Sequence, residues 1–483
     1  PTMWWLTSIA SLQESPNLMD AAVTFHIAAA SADLSALASA LRGTVLRPTD
    51  EAYEEDRQVW NAAAQGSPMG IVRVADAGDV AATIGFACRN GFEIAVRSGG
   101  HSLAGHSTGD EVLVIDMRDL RGMHVDLAEE TVWAGAGLTA GEVTAALAEH
   151  GRAVPFGDTG SVGIAGLTLG GGIGWLARKF GLTIDSLLAV EIVTANGEVL
   201  TASETERPDL FWALRGGGGN FGVVTRFQYR MSPVGEVLGG ALFLPPTRDV
   251  LRGLVPIAGS APEELTTISM LMPIPPVPFV PEEHHGKPSL VVMFVYAGDP
   301  ADGQRAIAPF LEVAEPYGVA AMPMPYPGIY EFTKEAGERH ASTTRSVFMD
   351  VLDNASIDAI LESVERAPEA FMIQLRVFGG AMSHVPAGAT AFAHRAATVQ
   401  VTVIAPFTDP ATVDAAVAWN RSLFAALEPK ASGVYANFLE DEGESRVRTA
   451  YPGETYERLA RVKRRYDRFN VFHRNQNIRP ARA

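Results

Sequence analysis

Three glycine-rich segments constrain the fold of this chain more than any other feature of its sequence. They cover residues 99–105, 163–174 and 216–222 of a chain of 483 residues. Glycine permits backbone angles and close approaches that a Cβ would block, although a single cluster commonly marks a plain turn. Three clusters in one region are a stronger signal, because successive backbone N–H groups in glycine-rich turns form concave anion sites. The pattern predicts a fold that binds a phosphate-bearing ligand such as a dinucleotide.

The first cluster has the most informative local context. The apolar run Glu93–Val96 predicts a strand, and the chain leaves it through Gly99-Gly100 and places His101 immediately afterwards. This histidine would project beside whatever the glycine turn holds, which favours a functional role over a structural one. His101 and His106 have no Cys, Asp or Glu cluster at ligand spacing, so we expect no metal site.

The second cluster permits a rival interpretation. The run Gly172-Ile-Gly-Trp-Leu-Ala177 fits the dinucleotide fingerprint of Rossmann folds, and Glu191 lies at about the expected distance. However, the preceding residues 163–170 do not form a clean strand pattern, and Glu191 lies inside a predicted strand. A nicotinamide-type Rossmann site is therefore the weaker alternative.

Local signals predict the secondary structure around the clusters. Asp79–Asn90 is predicted as a helix closed by Gly91, and Asn196-Gly197 predicts a hairpin. Thr139 and Glu142 form a capping box that opens another helix. Further strands are predicted at 112–117, 131–134, 189–195, 293–296 and 372–378, and further helices at 208–215 and 357–366.

Composition changes along the chain indicate an inserted domain. After Met231 the alternation of short strands and helices predicted for the first half stops. A proline-rich loop covers residues 272–288, and the sequence pattern of the first half returns near Tyr435. We therefore expect a discontinuous first domain of residues 37–235 and 430–483, and a second domain of residues 236–429. Residues 1–36 are expected to be weakly structured.

Charge and apolar content exclude several classes of partner. The net charge of −18 argues against nucleic acid and anionic membrane surfaces, which need a basic footprint. No apolar run is long enough to span a bilayer, and the first residues show no signal peptide pattern, so a cytoplasmic location is the default expectation. The single cysteine, Cys88, excludes an intramolecular disulfide and is expected to be buried. A homo-oligomer remains open.

Taken together, the motifs resemble a known family. Arg97-Ser-Gly-Gly-His-Ser102 resembles the covalent flavin motif of the berberine bridge enzyme-like FAD-linked oxidases, which belong to the vanillyl-alcohol oxidase superfamily. The resemblance covers most of the chain, and its other motifs are Arg47–Asp50 with Trp60-Asn61, Val162–Gly172, Leu214–Thr225, Tyr435-Ala-Asn437 and 461–478.

The resemblance implies a fold and a cofactor. The fold is α+β, with a PCMH-type FAD-binding domain of two α/β subdomains and an inserted substrate domain whose antiparallel sheet is backed by helices. FAD would be attached covalently to His101 through its 8α-methyl carbon. The implied cofactor-binding residues are Arg97, Ser98, Gly99, Gly100, His101, Ser102, Gly105, Thr159, Ser161, Val162, Gly166, Gly171, Gly172, Gly174, Gly222, Val223, Tyr435, Asn475 and Asn477.

One departure from the family pattern concerns the number of flavin attachments. Many relatives carry a second attachment through a cysteine, and the matching position here is Thr159. A threonine cannot form the thioether, so a singly attached flavin is expected.

The implied reaction is hydride transfer from a small organic alcohol, amine or phenol-type metabolite to flavin N5. Tyr435 is a candidate base, provided that neighbours lower its pKa; otherwise it only shapes the pocket. The strand after His394-Arg395 offers only Gln400 and Thr402, neither of them ionisable, so the alternative is hydride loss with proton release to water. Val162 is a small residue at the position where oxygen meets the flavin in the family, which favours an oxidase that produces hydrogen peroxide.

Two rival functions and two substrate classes stay open. The rivals are a dehydrogenase with another electron acceptor and a flavin-binding protein without turnover. The apolar stretch 268–281 favours an aromatic or hydrophobic substrate over a saccharide.

Overall fold

The computed structural model describes residues 33–482. Residues 1–32, most of the segment predicted to be weakly structured, lie outside the described residues. The first described helix, α1 (Leu34–Ala40), already begins within that segment, with the Asp33 carboxylate accepting a hydrogen bond from Ser35 N.

The α-helices of the described residues are numbered along the chain. They are α1, α2 (Tyr53–Asp56), α3 (Ala77–Asn90), α4 (Ala140–Ala148), α5 (Ile164–Gly170), α6 (Ala177–Phe180), α7 (Pro208–Leu214), α8 (Arg248–Ser260), α9 (Pro300–Glu312), α10 (Asn354–Glu365), α11 (Ala381–His384), α12 (Val413–Leu427), α13 (Glu444–Ala450) and α14 (Glu454–Tyr466).

Two sheets form the first part of the chain. The first has the order β1-β2-β4-β3, in which β2, β4 and β3 are parallel and β1 is antiparallel to β2. The second is antiparallel with the order β5-β6-β10-β8-β9, and a short pair joins β7 to β11. Their bounds are β1 (Thr44–Leu46), β2 (Gly70–Arg73), β3 (Ile94–Arg97), β4 (Leu113–Asp116), β5 (Met123–Asp126), β6 (Thr131–Gly135), β7 (Arg152–Ala153), β8 (Leu187–Val193), β9 (Val199–Ser203), β10 (Val223–Arg230) and β11 (Ser232–Pro233).

The third sheet has seven antiparallel strands in the order β15-β12-β14-β13-β17-β18-β16. One face packs on α8, α9, α10 and α12 through an apolar cluster that includes Leu251, Phe310, Ile360 and Trp419. Its strands are β12 (Glu236–Leu244), β13 (Leu265–Pro273), β14 (Pro288–Tyr296), β15 (Gly318–Pro325), β16 (Ala341–Met349), β17 (Met372–Val377) and β18 (Val399–Phe407). The α+β prediction is confirmed; the domain boundaries stay a prediction.

Local sequence signals explain where several elements begin and end. Helix α3 follows Asp76, whose carboxylate accepts a hydrogen bond from Asp79 N, and it ends at Gly91 in the left-handed region. Both hydrogen bonds of the Thr139–Glu142 capping box are present at α4. The β8–β9 hairpin turns through Gly197 with φ +79°. These predictions are confirmed.

Two findings differ from or add to the sequence expectations. Cys88 lies exposed in the last turn of α3, three residues before Gly91, contrary to the expectation that it is buried. Within the described residues, no helix combines the length and the apolar character needed to cross a membrane.

The C-terminal segment is tied to the third glycine cluster by a buried ion pair. Lys463 on α14 and Asp467 are fully buried, with 2.7 Å between Nζ and Oδ2. The ammonium also donates to the carbonyl oxygens of Asn220 and Phe472, and Asn220 in turn accepts a hydrogen bond from Ile478 N. One buried cation therefore holds the segment after α14 against the loop that precedes β10.

Replacing this lysine should destabilise the protein strongly. Lys463→Met would leave the Asp467 carboxylate buried without its partner, a change that costs about 3–5 kcal/mol in comparable sites. We expect a clearly lowered thermal unfolding midpoint by calorimetry. Arg461→Met, on an exposed position of the same helix, is the control, and an equal loss in both variants would contradict the role given to the ion pair.

Candidate active site

A cavity of about 1140 Å³ is lined by residues from all three large sheets. Strands β3, β10 and β12 to β18 contribute, together with the loops that hold the glycine clusters. Small-molecule pockets usually measure about 300–1000 Å³. The volume therefore leaves room for a large cofactor and a substrate together.

The first glycine segment forms part of the cavity wall. Ser98, Gly99, Gly100, His101 and Ser102 all line it. A Cβ at Gly99 would overlap the backbone of Gly163, and Gly100 has φ +72°, so neither position tolerates a side chain without strain. The Ser98 hydroxyl donates to the carbonyl oxygen of Ala136 at 2.6 Å, which fixes the start of the turn.

Arg97 and Gly105, predicted as cofactor contacts, lie outside the cavity lining. The Arg97 guanidinium is buried against the Asp116 carboxylate at 2.6 Å, so it joins the ends of β3 and β4. Gly105 has φ +69°, and a Cβ there would overlap the Ala64 side chain. Both residues therefore stabilise the glycine turn without lining the cavity.

The second glycine segment divides into two parts. Thr159, Val162 and Gly166 line the cavity, and apart from its chain neighbours and the backbone of its own helix no described atom lies within 4 Å of the place where a Gly166 Cβ would stand. Gly171, Gly172 and Gly174 do not line it, contrary to the sequence expectation. A Cβ at Gly172 would overlap the Thr183 side chain and one at Gly174 the Phe156 carbonyl, so these glycines permit close packing.

The Rossmann alternative is excluded by the same region. Gly172 follows helix α5 and not a strand, as the fingerprint requires. Glu191 lies within β8, where its carboxylate accepts hydrogen bonds from Thr225 and Arg226.

The third glycine segment lines the cavity through Gly218, Gly219, Asn220 and Gly222, followed by Val223. From the C-terminal segment Asn475 lines it too, and donates a hydrogen bond to the Gly219 carbonyl oxygen at 3.2 Å. Asn477 does not line the cavity, so its predicted contact with the cofactor ring has no geometric support.

His101 is enclosed by three side chains. Its Nε2 lies 3.2 Å from the Ser161 Oγ, and its ring stacks on Trp60 with 5.3 Å between centroids. Burial and the nearby His340 lower the pKa of His101 to about 4. The imidazole is therefore neutral at physiological pH. Ser161 itself does not line the cavity but contacts the histidine that does.

Tyr435 does not meet the condition set for a base. Burial raises the pKa of its hydroxyl to about 12, although hydrogen bonds from Gly172 N and Asn437 Nδ2, both at 3.0 Å, act in the opposite direction. The phenol is protonated at neutral pH. Gln400, the second catalytic candidate, is fully buried and does not line the cavity.

Sequence reasoning missed a charge pair across the cavity. Asp158 follows Gly157, and its carboxylate lies 2.6 Å from Nη2 of Arg376 on β17. The Arg376 Nε donates to the Gln374 side-chain oxygen at 2.7 Å, and both β17 residues line the cavity. The strand that contains Arg376 was predicted from the sequence, but no local signal points to a partner 218 positions away.

The cavity walls fit a polar cofactor. Six cavity-lining residues carry buried polar atoms that have no partner among the described residues, and such atoms are costly unless something satisfies them. Together with the open backbone at Gly166 and Gly219, they suit a ligand that carries phosphate and hydroxyl groups. The six atoms are His106 Nε2, Ser107 Oγ, Thr402 Oγ1, Tyr451 OH, Arg474 Nε and Asn475 Oδ1. Within residues 33–482 we find no cluster of side chains arranged to hold a metal ion.

Two family models match the chain. A model described as FAD binding domain matches residues 68–203, and one described as berberine and berberine-like matches residues 434–479. Both glycine clusters before β8 lie in the first match, and Tyr435 and Asn475 lie in the second. The chain therefore combines an FAD-binding region with the C-terminal segment typical of berberine bridge enzyme-like proteins.

Full-length relatives agree with these matches. (R)-6-hydroxynicotine oxidase of Paenarthrobacter nicotinovorans is 32% identical, over 91% of this chain and 97% of its own length. The FAD-linked oxidoreductase YgaK of Bacillus subtilis is 30% identical, over 92% and 98%. The solved structure of 6-hydroxy-D-nicotine oxidase from Arthrobacter nicotinovorans superposes with a TM-score of 0.82 at 28% identity, over 91% of this chain and 98% of that chain.

The shifted pKa of His106 predicts how the free energy of unfolding depends on pH. Burial and Arg474 lower the pKa of His106 to about 4, against about 6.5 in an unfolded chain. Between pH 6.5 and 4 only the unfolded chain takes up this proton, so the stability present above pH 6.5 is lost as the pH falls. We expect His106→Asn to reduce this loss in urea unfolding measured across the range. His124→Asn, at an exposed position of β5, should not, and an equal effect of both would count against the assignment.

Proposed function

The chain belongs to the berberine bridge enzyme-like FAD-linked oxidoreductases, and we propose that it is an oxidase whose flavin is attached covalently to His101. Its substrate would be a small organic alcohol, amine or phenol-type metabolite, and its second product hydrogen peroxide. The setting of His101 is the observation that carries this proposal.

A neutral imidazole has a lone pair available to bond carbon, whereas a protonated one has none. Burial keeps His101 neutral at physiological pH, and the contact of Nε2 with Ser161 orients the ring. Trp60 limits its rotation by stacking on one face. These features support attachment through the 8α-methyl carbon of FAD.

We infer that His101 is the single attachment point. Thr159 lines the cavity but offers a hydroxyl that cannot form a thioether. The thiol of Cys88 lies exposed on α3, away from the cavity lining. The cofactor contacts proposed here come from Ser98, Gly99, Gly100, Ser102, Val162, Gly166, Gly222, Val223 and Asn475.

Bound FAD would supply the acceptor for a hydride from a substrate C–H bond, and oxygen would take up the electrons. Val162 lines the cavity and is small, which supports access of oxygen. The relative named as an oxidase of 6-hydroxynicotine also supports an oxidase over a dehydrogenase and a hydrophobic substrate over a saccharide.

The substrate proton would leave to water in this proposal. Tyr435 is protonated at neutral pH, and Gln400 lies behind the cavity wall, so neither accepts it. Tyr435 instead positions the second glycine segment, because its oxygen accepts the hydrogen bond from Gly172 N. Asn437 holds the phenol oxygen in that position.

Covalent attachment can be tested on denatured protein. We expect wild-type protein to stay yellow after acid precipitation and to carry the mass of one FAD. His101→Ala should release its flavin completely under the same conditions. Thr159→Ala, which alters the other candidate position on the cavity wall, should retain it. A colourless wild-type precipitate would refute the attachment.

Reoxidation kinetics distinguish the oxidase from its rivals. We expect protein reduced without oxygen to recover its flavin absorbance within seconds after mixing with air-saturated buffer in a stopped-flow instrument. Recovery over minutes would favour a dehydrogenase with another acceptor. Fast recovery without peroxide release from any alcohol, amine or sugar would favour a flavin-binding protein without turnover.

A further inference from the structure

The cavity-facing side of the seven-stranded sheet is divided by polarity. Every residue of β12 to β15 that lines the cavity is apolar: Ala241, Phe243, Met270, Met272, Pro273, Val291, Met293, Ala320 and Met322. On the three remaining strands, β16 to β18, polar lining residues appear: Ser342, Thr344, Gln374, Arg376 and Thr402. Because β13 neighbours β17 in the sheet, the boundary runs between these two strands.

One row of paired residues crosses this boundary. In register across the sheet lie Ser346, Thr402 and Gln374, followed directly by Met270, Val291 and Phe243. Neighbouring strands are about 4.8 Å apart, so the apolar half from β13 to β15 spans about 14 Å. That width exceeds a single aromatic ring.

The apolar half continues to the mouth of the cavity. Phe279, Met322 and Phe332 line the cavity and remain 41%, 51% and 39% exposed. Large exposed apolar side chains that border a cavity are more often part of a ligand-binding groove than of an ordinary protein surface.

The polar half contains a hydroxyl group without a partner. Among its cavity-lining residues, Thr402 carries a buried Oγ1 that has no hydrogen-bond partner among the described residues. Thr402 is one of the residues that line the cavity, and its side chain is fully buried. The one cation on these strands that lines the cavity, Arg376, is already paired with Asp158 and Gln374. This half therefore offers hydrogen bonds to an uncharged group.

We propose that the substrate is an uncharged amphiphile, with a hydrocarbon body longer than one ring on β12 to β15 and a hydroxyl, carbonyl or aromatic amine head at Thr402 and Gln374. This inference rests on the proposed function and narrows its substrate class. A saccharide carries hydroxyls on all sides and would leave several of them unpaired against Met270, Val291 and Phe243, each weakening binding by about tenfold or more.

The test uses 4-alkylbenzamides, which have a neutral polar head and do not donate electrons to the flavin. Benzamide, 4-propylbenzamide, 4-hexylbenzamide and cellobiose are titrated into the FAD-bound protein by calorimetry. We expect the affinity of the benzamides to rise by roughly threefold to fourfold for each added methylene. Cellobiose should bind more weakly than 4-hexylbenzamide.

Two shape-conserving variants with opposite changes in polarity probe the two halves. Val291→Thr should weaken 4-hexylbenzamide by about tenfold and leave benzamide unchanged, because only the alkyl chain reaches this position. Thr402→Val should weaken both by the same factor of about twofold to tenfold, the value of one hydrogen bond. Thr201→Val, at an exposed position of β9 away from the cavity, should change neither.

The outcomes separate this inference from the function on which it rests. An affinity that does not depend on chain length, or tighter binding of cellobiose, in protein that retains its flavin absorbance would overturn the substrate class alone. Equal effects of Val291→Thr on benzamide and 4-hexylbenzamide would overturn the placement of the hydrocarbon body. Wild-type protein that takes up no FAD would refute the proposed function, and this inference with it.

Discussion

The contact between two glycine segments is the constraint on which the rest of the site depends. Gly99 and Gly163 meet backbone to backbone, and a Cβ on either would overlap the other chain segment. The same approach accompanies the contact of His101 with Ser161, although 60 positions separate them. The cavity wall beside His101, and the attachment of FAD proposed there, depend on two positions that have no side chain.

Interactions between distant parts of the chain close the cavity around this contact. The carbonyl oxygen of Ala336 accepts a hydrogen bond from the Trp60 indole, and that of His340 accepts one from Ala62 N. The segment that follows β15, a strand of the third sheet, therefore packs over His101. On the opposite side, Lys463 fastens the C-terminal segment to the third glycine cluster. Hydrogen bonds at both places join segments far apart in the chain, and Ala336 and Asn220, which accept them, line the same cavity.

The electrostatics of the site favour orientation over proton abstraction. His101 and Tyr435 both stay uncharged at neutral pH, since burial lowers the pKa of the first and raises that of the second. The charge pair of Asp158 and Arg376 links the glycine segment to the sheet above it. The sheet presents an apolar and a polar half to the cavity, and this division is the basis of the proposed substrate class.

Short-range signals in the sequence determined the helix caps, the hairpin at Gly197, the three glycine clusters and the family, because each depends on residues close together in the chain. The sequence alone could not separate glycines that line the cavity, such as Gly166, from those that only permit packing, such as Gly174, since both uses require the same missing Cβ. Gln400 was placed on the correct strand, yet only the packing of the sheet decided that its side chain is sealed behind the wall. The pairing of Asp158 with Arg376 and the polarity boundary between β13 and β17 arise from strand order, and strand order is a property of the tertiary structure because it joins residues that no local pattern relates.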